Sequence, residues 1–505
     1  MIKSRTDLWF ALALLGAAWG VRLALAAQLL FPPLDDPAFY VQTARSLAAG
    51  RGLVTDVIWS AQFPFAAVTH PSHEYWMPMA TFLMAPWTRA FGDSLFVAQI
   101  AGTLCGALLV PLTYALGRLI RPDNRRLAIA AGLLVLAGAL PVYQSASTDS
   151  SAPFALLAAC ALLSGGLAVE RRSAWLTLLT GVLCGLAYLA RADGLLIPGM
   201  LGIGLLVSLG PSRRAFLLVA LLAAGCGVVM APWWLRNLHA FGVVQAASPW
   251  AAIALQDYPQ LFNWQAPPTL EALFARGAGF VVELRARALG HNLVVWALIA
   301  FPYGIFGWVG LARTRRPVLQ LGLIYAVLLV VVTAAAFSVQ TLAGLFYHSA
   351  GATLPWLAVG AMLVVSRWTA RRASWGAGLF AATLVLVIAQ SVIAWPRVIE
   401  DSRRNAATFV FASEWLAENA GLSEPVLATQ AHSFNLASGR PALTLPAGQD
   451  LRHVREMAGS YRARYIVVTQ SFGLYPEALE AERGRGVELR YEAPGVRIYE
   501  LTGVP

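Results

Sequence analysis

The sequence predicts an all-α polytopic membrane bundle of about eleven transmembrane helices, with two interfacial helices in the first outer loop and a small C-terminal α/β domain. Three observations carry this expectation. Hydrophobic residues make up 58% of the 505 positions and charged residues only 12%, against roughly half and a quarter in soluble domains, and mean hydropathy is +0.63. Apolar runs long enough for a hydrocarbon core of about 30 Å recur from Leu8 to Trp395. The basic residues fall in short clusters between alternate runs, so the formal charge of +11 reports topology and excludes a nucleic-acid partner.

The runs are Leu8 to Leu30, Ser94 to Leu119, Leu127 to Ser145, Ala152 to Val169, Ala174 to Ala190, Gly194 to Leu209, Ala215 to Leu235, Gly290 to Ala312, Val318 to Val339, Phe346 to Ser366 and Ser374 to Trp395. Arginines and the one early lysine crowd alternate connections: Lys3 and Arg5, then Arg121, Arg125 and Arg126, Arg171 and Arg172, Arg213 and Arg214, Arg313, Arg315 and Arg316, and Arg367, Arg371 and Arg372. By the positive-inside rule these lie in the cytoplasm, which sets the N-terminus inside and the C-terminus outside a cell inner or plasma membrane. The first run is too long for a signal-peptide core and reads as a retained helix. Arg22 within it is expected to snorkel to the surface. The four cysteines sit inside apolar runs and read as small buried hydrophobes, not as a disulfide or metal framework.

This topology divides the chain into a membrane domain over 1–395 and a non-cytoplasmic domain over 396–505, with large outer loops at 31–93 and 236–289. In the first loop, Asp36 to Ala49 and Glu74 to Phe91 carry the amphipathic patterns of helices lying in the interface plane. The tail is expected to form a helix near Asn405 to Asn419, a strand at Val426 to Thr429, a helix near Gln449 to Ala458, a strand at Tyr465 to Thr469, and a hairpin of Val487 to Tyr491 with Val496 to Leu501. It lacks a glycine-rich nucleotide turn and shows no cluster of catalytic residue types, so it reads as accessory.

Candidate chemistry gathers on the outer side. Asp35 and Asp36 stand where the first helix emerges, although an Asp-Pro step is also an ordinary turn signal. His70, His73 and Glu74 follow in His70-Pro71-Ser72-His73-Glu74-Tyr75-Trp76. Asp149 lies in the turn after the third run, where helix capping is the plainer alternative. Arg191 and Arg236 are basic residues on a side otherwise kept free of them; a local pair with Asp193 and a headgroup contact are their structural alternatives. Asp35, Asp36, His70, His73 and Glu74 supply oxygen and imidazole donors for a divalent metal, with Asp36 and Glu74 the leading ligands, at a spacing that matches no metal motif. No other cofactor is implied.

In this order the segments resemble the C superfamily of membrane glycosyltransferases (GT-C), in particular the bacterial relatives of dolichyl-phosphate-mannose protein mannosyltransferases and of lipid A aminoarabinose transferases. The resemblance rests on Asp35-Asp36 followed by Tyr40, the His-Pro and Tyr-Trp elements of His70 to Trp76, Asp149, Arg191-Ala192-Asp193-Gly194, and Pro232-Trp233-Trp234-Leu235-Arg236-Asn237. It covers the first half of the chain in detail and the rest in layout. It implies a polyprenyl-phosphate-linked sugar as donor, a lipid, glycan or protein hydroxyl as acceptor, and an inverting displacement in which Asp35 or Asp36 is the base, with Asp149 as the second acid. It also implies a cation on the donor phosphate, for which His70, Arg191 and Arg236 are the candidates. Where relatives carry an Arg-Tyr pair late in the membrane part, this chain has Tyr347-His348. The alternatives are a polysaccharide ligase or polymerase using a pyrophosphate-linked donor, and a lipid or solute transporter, against which the absence of an evident repeat argues.

Overall fold

The computed structural model describes residues 4–59, 65–246, 249–262, 268–338, 344–446, 451–469 and 476–503. Helix occupies each of the eleven apolar runs, because long uncharged stretches must satisfy their backbone hydrogen bonds internally. Among the described residues, eight helices are long and apolar enough to cross a membrane, or up to ten if two bent pairs each form one span. The chain is a multi-pass membrane protein. Two runs read as straight spans are bent: Arg125–Ala137 meets Ala139–Ala146 at 58°, and Ala278–Ile299 meets Gly304–Ala312 at 101°. Glycines let helices touch backbone to backbone; a Cβ on Gly310 would lie 1.9 Å from the Gly360 carbonyl oxygen.

Arg22 corrects an expectation. It does not snorkel but is fully buried, its Nε donating to Ser145 Oγ at 3.3 Å and its Nη1 to the Ala18 carbonyl at 3.1 Å. The glycine notch of Gly106 on the neighbouring helix makes the room.

The first loop starts with the helix Asp35–Ala48, so both acids sit in its first turn. The second interfacial helix is shorter than expected, Met79–Phe91. Residues 72–78 stay irregular, because Pro78 removes a backbone donor and His73 adopts the left-handed region at φ 67°. Between them run three two-residue strands, β1 (Val54–Thr55), β2 (Val57–Ile58) and β3 (His70–Pro71), with β1 pairing β3 antiparallel. In the loop 236–289 the helix Arg213–Phe241 continues past Arg236, and short helices follow at Pro249–Ala254 and Leu270–Phe274.

The last apolar run and the first tail helix form one 47-residue helix, Ala373–Asn419, passing through Pro396. Buried Arg440 closes its end by donating to the carbonyls of Leu416, Ala420 and Gly421 where the helix ladder runs out. Beyond it lie β4 (Val426–Ala428), the helix Ala431–Ser438, β5 (Ala442–Thr444), the helix Leu451–Tyr461, β6 (Tyr465–Thr469), β7 (Val487–Ala493) and β8 (Val496–Leu501). The start of the expected helix at Gln449 lies outside the described residues. The sheet has six strands in the order β2-β5-β4-β6-β8-β7, with β2, β5, β4 and β6 parallel and β7 and β8 closing it as an antiparallel hairpin. One strand, β2, therefore comes from the first loop.

Candidate active site

A cavity of about 860 Å³ opens where the bundle, the first loop and the sheet meet. Its walls are mostly apolar and aromatic, with Asp35, Asp36, Tyr40, Arg191, Asp193 and His348 as the ionisable groups brought together from the sequence-level candidates.

The two neighbouring acids have different partners. Asp35 Oδ1 accepts from the backbone N–H and the hydroxyl of Ser433 at 3.0 and 2.9 Å, so the sheet domain holds it. Burial pushes its carboxyl up to about 7 against the lowering effect of these bonds. Asp36 is also raised by burial, while the charges of His348 and Arg191 and the indole of Trp76 pull the other way and Asp149 adds to the rise. The carboxylate facing the cationic side of the cavity is thus Asp36.

Asp149 follows Thr148, a β-branched residue held at φ 61°, a strained conformation that the buried Ser147-to-Ser151 turn enforces. Asp149 Oδ1 accepts from the Ser151 amide at 2.6 Å, and Oδ2 lies 3.5 Å from His348 Nδ1. Burial alone would raise this carboxyl, but the bond and charge of His348 and the Ser151 amide hold it below the ordinary range. The capping role and the contact with the site coexist.

Arg191 lies on the cavity wall. Its Nε meets Ser349 Oγ at 3.0 Å and Asp193 Oδ1 at 3.2 Å, and its Nη1 meets Ser150 Oγ at 3.1 Å. Asp193 is an ion-pair partner without an aligned hydrogen bond, since neither of its buried oxygens has one. Tyr40 lines the same wall, its phenol raised by burial. Tyr347 is outside the lining, its carbonyl accepting from the Gln144 amide at 2.8 Å.

Six expected residues are absent from the lining: Asp149 and Tyr347, described above, and His70, His73, Glu74 and Arg236. His70, read as a phosphate contact, is absent from the lining; it stacks on Phe65 at 3.6 Å, and burial drops its pKa to about 4, which leaves the ring neutral near neutral pH. Arg236 is also outside the lining. Its guanidinium donates to the carbonyls of Leu53 and Ser72 at 3.3 and 2.7 Å and lies over Trp233 and Phe241, fastening the first loop to the bundle. His73 bonds Ser72 and Thr81 inside the core. The suggested metal pair is separated as well: Asp36 lines the cavity and Glu74 does not. Among the described residues, no three His, Cys, Asp or Glu side chains converge as a ligand set.

Glu74 is buried at 2% exposure with Oε2 unpartnered, and burial raises its pKa from 4.5 to about 7. A raised acid costs stability as pH climbs from its unfolded to its folded value, and the cost persists above. Glu74→Gln should therefore increase thermal stability near pH 8 but not near pH 4.5, by up to about 3 kcal/mol, in melting curves of the purified protein.

Sequence reasoning missed the contributions of Trp59, Thr429, Thr444 and Leu445 to the lining and of Ser433 to Asp35. Trp59, Thr444, Leu445 and Ser433 lie in or beside strands of two or three residues and an eight-residue helix, too short to leave a periodic pattern, whereas Thr429 ends an expected strand whose place at the cavity depends on tertiary contact.

The family model for dolichyl-phosphate-mannose-protein mannosyltransferase matches residues 69–235. Among solved structures, ArnT from Cupriavidus metallidurans bound to undecaprenyl phosphate aligns over 98% of this chain and 98% of its own, at 14% identity and a TM-score of 0.63. The Archaeoglobus fulgidus oligosaccharyltransferase in complex with zinc and sulfate aligns over 96% of this chain and 72% of its own, at 14% identity and a TM-score of 0.59. The same archaeal enzyme, AglB, in complex with an inhibitory peptide and a dolichol-phosphate, gives 13% identity and a TM-score of 0.55, covering 99% and 75%. No protein among those with curated functions matches the sequence. The chain has the GT-C fold of membrane glycosyltransferases, as the sequence resemblance implied.

Proposed function

We propose that this protein transfers a sugar from a polyprenyl-phosphate donor to a hydroxyl acceptor on the non-cytoplasmic side of the membrane, with inversion. The observation that carries the reading is the cavity, in which the Asp36 carboxylate is grouped with Arg191 and the imidazole of His348 within largely apolar walls. Asp36 takes the proton of the acceptor hydroxyl as its oxygen attacks the anomeric carbon, and the sugar–phosphate bond breaks on the opposite side. Phosphate is already a good leaving group, so no general acid is needed. Arg191 offsets the charge that grows on the departing phosphate. Asp149 orients His348, and Asp35 anchors the start of the carboxylate-bearing helix through Ser433.

The lipid-linked ligands in the ArnT and AglB structures support the donor class. The arginine distribution supports the sidedness. Incubating the purified full-length chain with a panel of polyprenyl-phosphate sugars should give sugar transfer, or slow release to water, with inverted configuration by NMR. Retained configuration would refute the single displacement; inertness towards every donor, with pyrophosphate-linked donors accepted, would refute the donor class.

A further inference from the structure

The sheet turns a particular edge to the cavity. Its parallel strands β2, β5, β4 and β6 end on one side, and the lining residues drawn from it sit at those carboxyl ends: Trp59 directly after β2, Thr444 and Leu445 at the end of β5, and Thr429 directly after β4. The chain leaves β4 to one side for β5 and comes back to its other side for β6, so the strand order reverses at β4. In open α/β sheets the carboxyl ends beside such a reversal form a crevice in which ligands bind. A domain that reads as accessory in sequence thus presents its binding edge to the carboxylates.

The chemistry of the edge narrows the ligand. Thr444 is buried at 4% exposure, lines the cavity, and its hydroxyl has no hydrogen-bond partner among the described residues. A buried hydroxyl without a partner costs stability unless a ligand completes it. Next to it stands an aromatic wall: Trp59 lies 4.7 Å from Tyr75 and 4.4 Å from Trp76, ring centre to ring centre, and all three line the cavity. Aromatic rings beside one unsatisfied hydroxyl, that of Thr444, and a second, that of Thr429, which is engaged by Thr469, suit a ring that is apolar on its C–H face and polar at its rim. That is a pyranose. Trp76 and Tyr75 also lie within electrostatic reach of Asp36, so a sugar held there offers a hydroxyl to the proposed base.

We infer that the carboxyl edge of the sheet, with Thr444 and Thr429 against Trp59, Tyr75 and Trp76, is a pyranose-binding subsite that holds the acceptor sugar. The subsite itself stands on geometry; its assignment to the acceptor rests on the transferase reading above. The acceptor class is accordingly a glycan or glycolipid with a pyranose terminus.

The test uses the full chain in nanodiscs and methyl α-mannoside, methyl β-glucoside and methyl β-galactoside as probes, read by saturation-transfer NMR titration. At least one should bind, and Thr444→Val, which keeps the side-chain shape, should weaken it about five- to tenfold through the lost hydrogen bond. Trp59→Leu should weaken it about tenfold through the lost aromatic face. Donor affinity in Thr444→Val, measured with a polyprenyl-phosphate sugar, should stay within about twofold of wild type. If donor affinity falls in step with pyranoside affinity, the subsite holds the donor's sugar and the acceptor assignment is overturned. If no pyranoside binds a protein that does transfer sugar, or if Thr444→Val binds as tightly as wild type, the subsite is overturned and the transferase reading stands. Pyranoside binding that depends on Thr444, in a chain inert towards every donor, would support the subsite and refute the transferase.

Discussion

Asp36→Asn is expected to lower kcat by at least about 10²-fold, because the substitution keeps the shape of the side chain and removes its ability to take a proton. Asp35→Asn should lose less than about tenfold, since an amide oxygen can still accept from the Ser433 amide and hydroxyl that fix Asp35. Single-turnover transfer with a saturating donor separates the two. Equal losses, or full activity in Asp36→Asn, would take the base away from Asp36. The pH profile gives an independent check. A base works only when ionised, so kcat/KM should fall as pH drops through the Asp36 pKa, and burial sets this acid limb above the range of an ordinary carboxylate. In Asp36→Asn that limb should vanish from the residual activity.

The second large effect is expected at Arg191. Arg191→Ala should weaken donor binding about ten- to hundredfold, the value of a charge-assisted hydrogen bond to phosphate. Arg191→Lys should recover only part of it, because an ammonium cannot serve Ser150, Ser349 and a phosphate from one planar fork. Isothermal titration with polyprenyl phosphate measures this directly. Arg236→Ala, by contrast, should act on stability through the loosened first loop, and the neutral His70 should leave donor affinity flat across the ordinary histidine range. A wild-type affinity that fell through that range would return His70 to the phosphate.

The bundle was legible because bilayer thickness imposes a long, uniform pattern, and all eleven apolar runs are occupied by helix. The strands β6, β7 and β8 were legible for a similar reason, each having five or more residues of β-type composition. Site legibility stopped where placement depends on tertiary contact. Sequence presented Asp35 and Asp36 as equivalent neighbours; both reach the cavity, but a 100° step along one helix turn gives one to Ser433 and the other to the charges of Arg191 and His348. It likewise ranked Arg191 and Arg236 together as lone outer cations. The difference is that Arg236 is taken up by the Leu53 and Ser72 carbonyls, which no local pattern announces. The accessory reading of the tail failed to anticipate Thr444 because a three-residue strand carries no period and its neighbour β2 is supplied from almost four hundred residues away, a separation of about the whole bundle.

The helix Ala373–Asn419, about 70 Å long at 1.5 Å per residue, links the lipid phase to the sheet without interruption. Near its middle, Ser402 exchanges hydrogen bonds with the backbone of Leu30 and Phe31, and Asn405 reaches the Pro33 carbonyl, immediately before the two acids. Floor and ceiling of the reaction chamber are therefore measured from one rod. The ceiling is also stitched to the first loop through β2, so two attachments oppose its swinging open like a lid. On the proposed donor class, a long isoprenoid chain would stay in the bilayer while only its headgroup reaches the cavity. On the proposed reading, the tilt of this rod would set the distance between acceptor and base, and transfer rates should then vary with the thickness of the host bilayer.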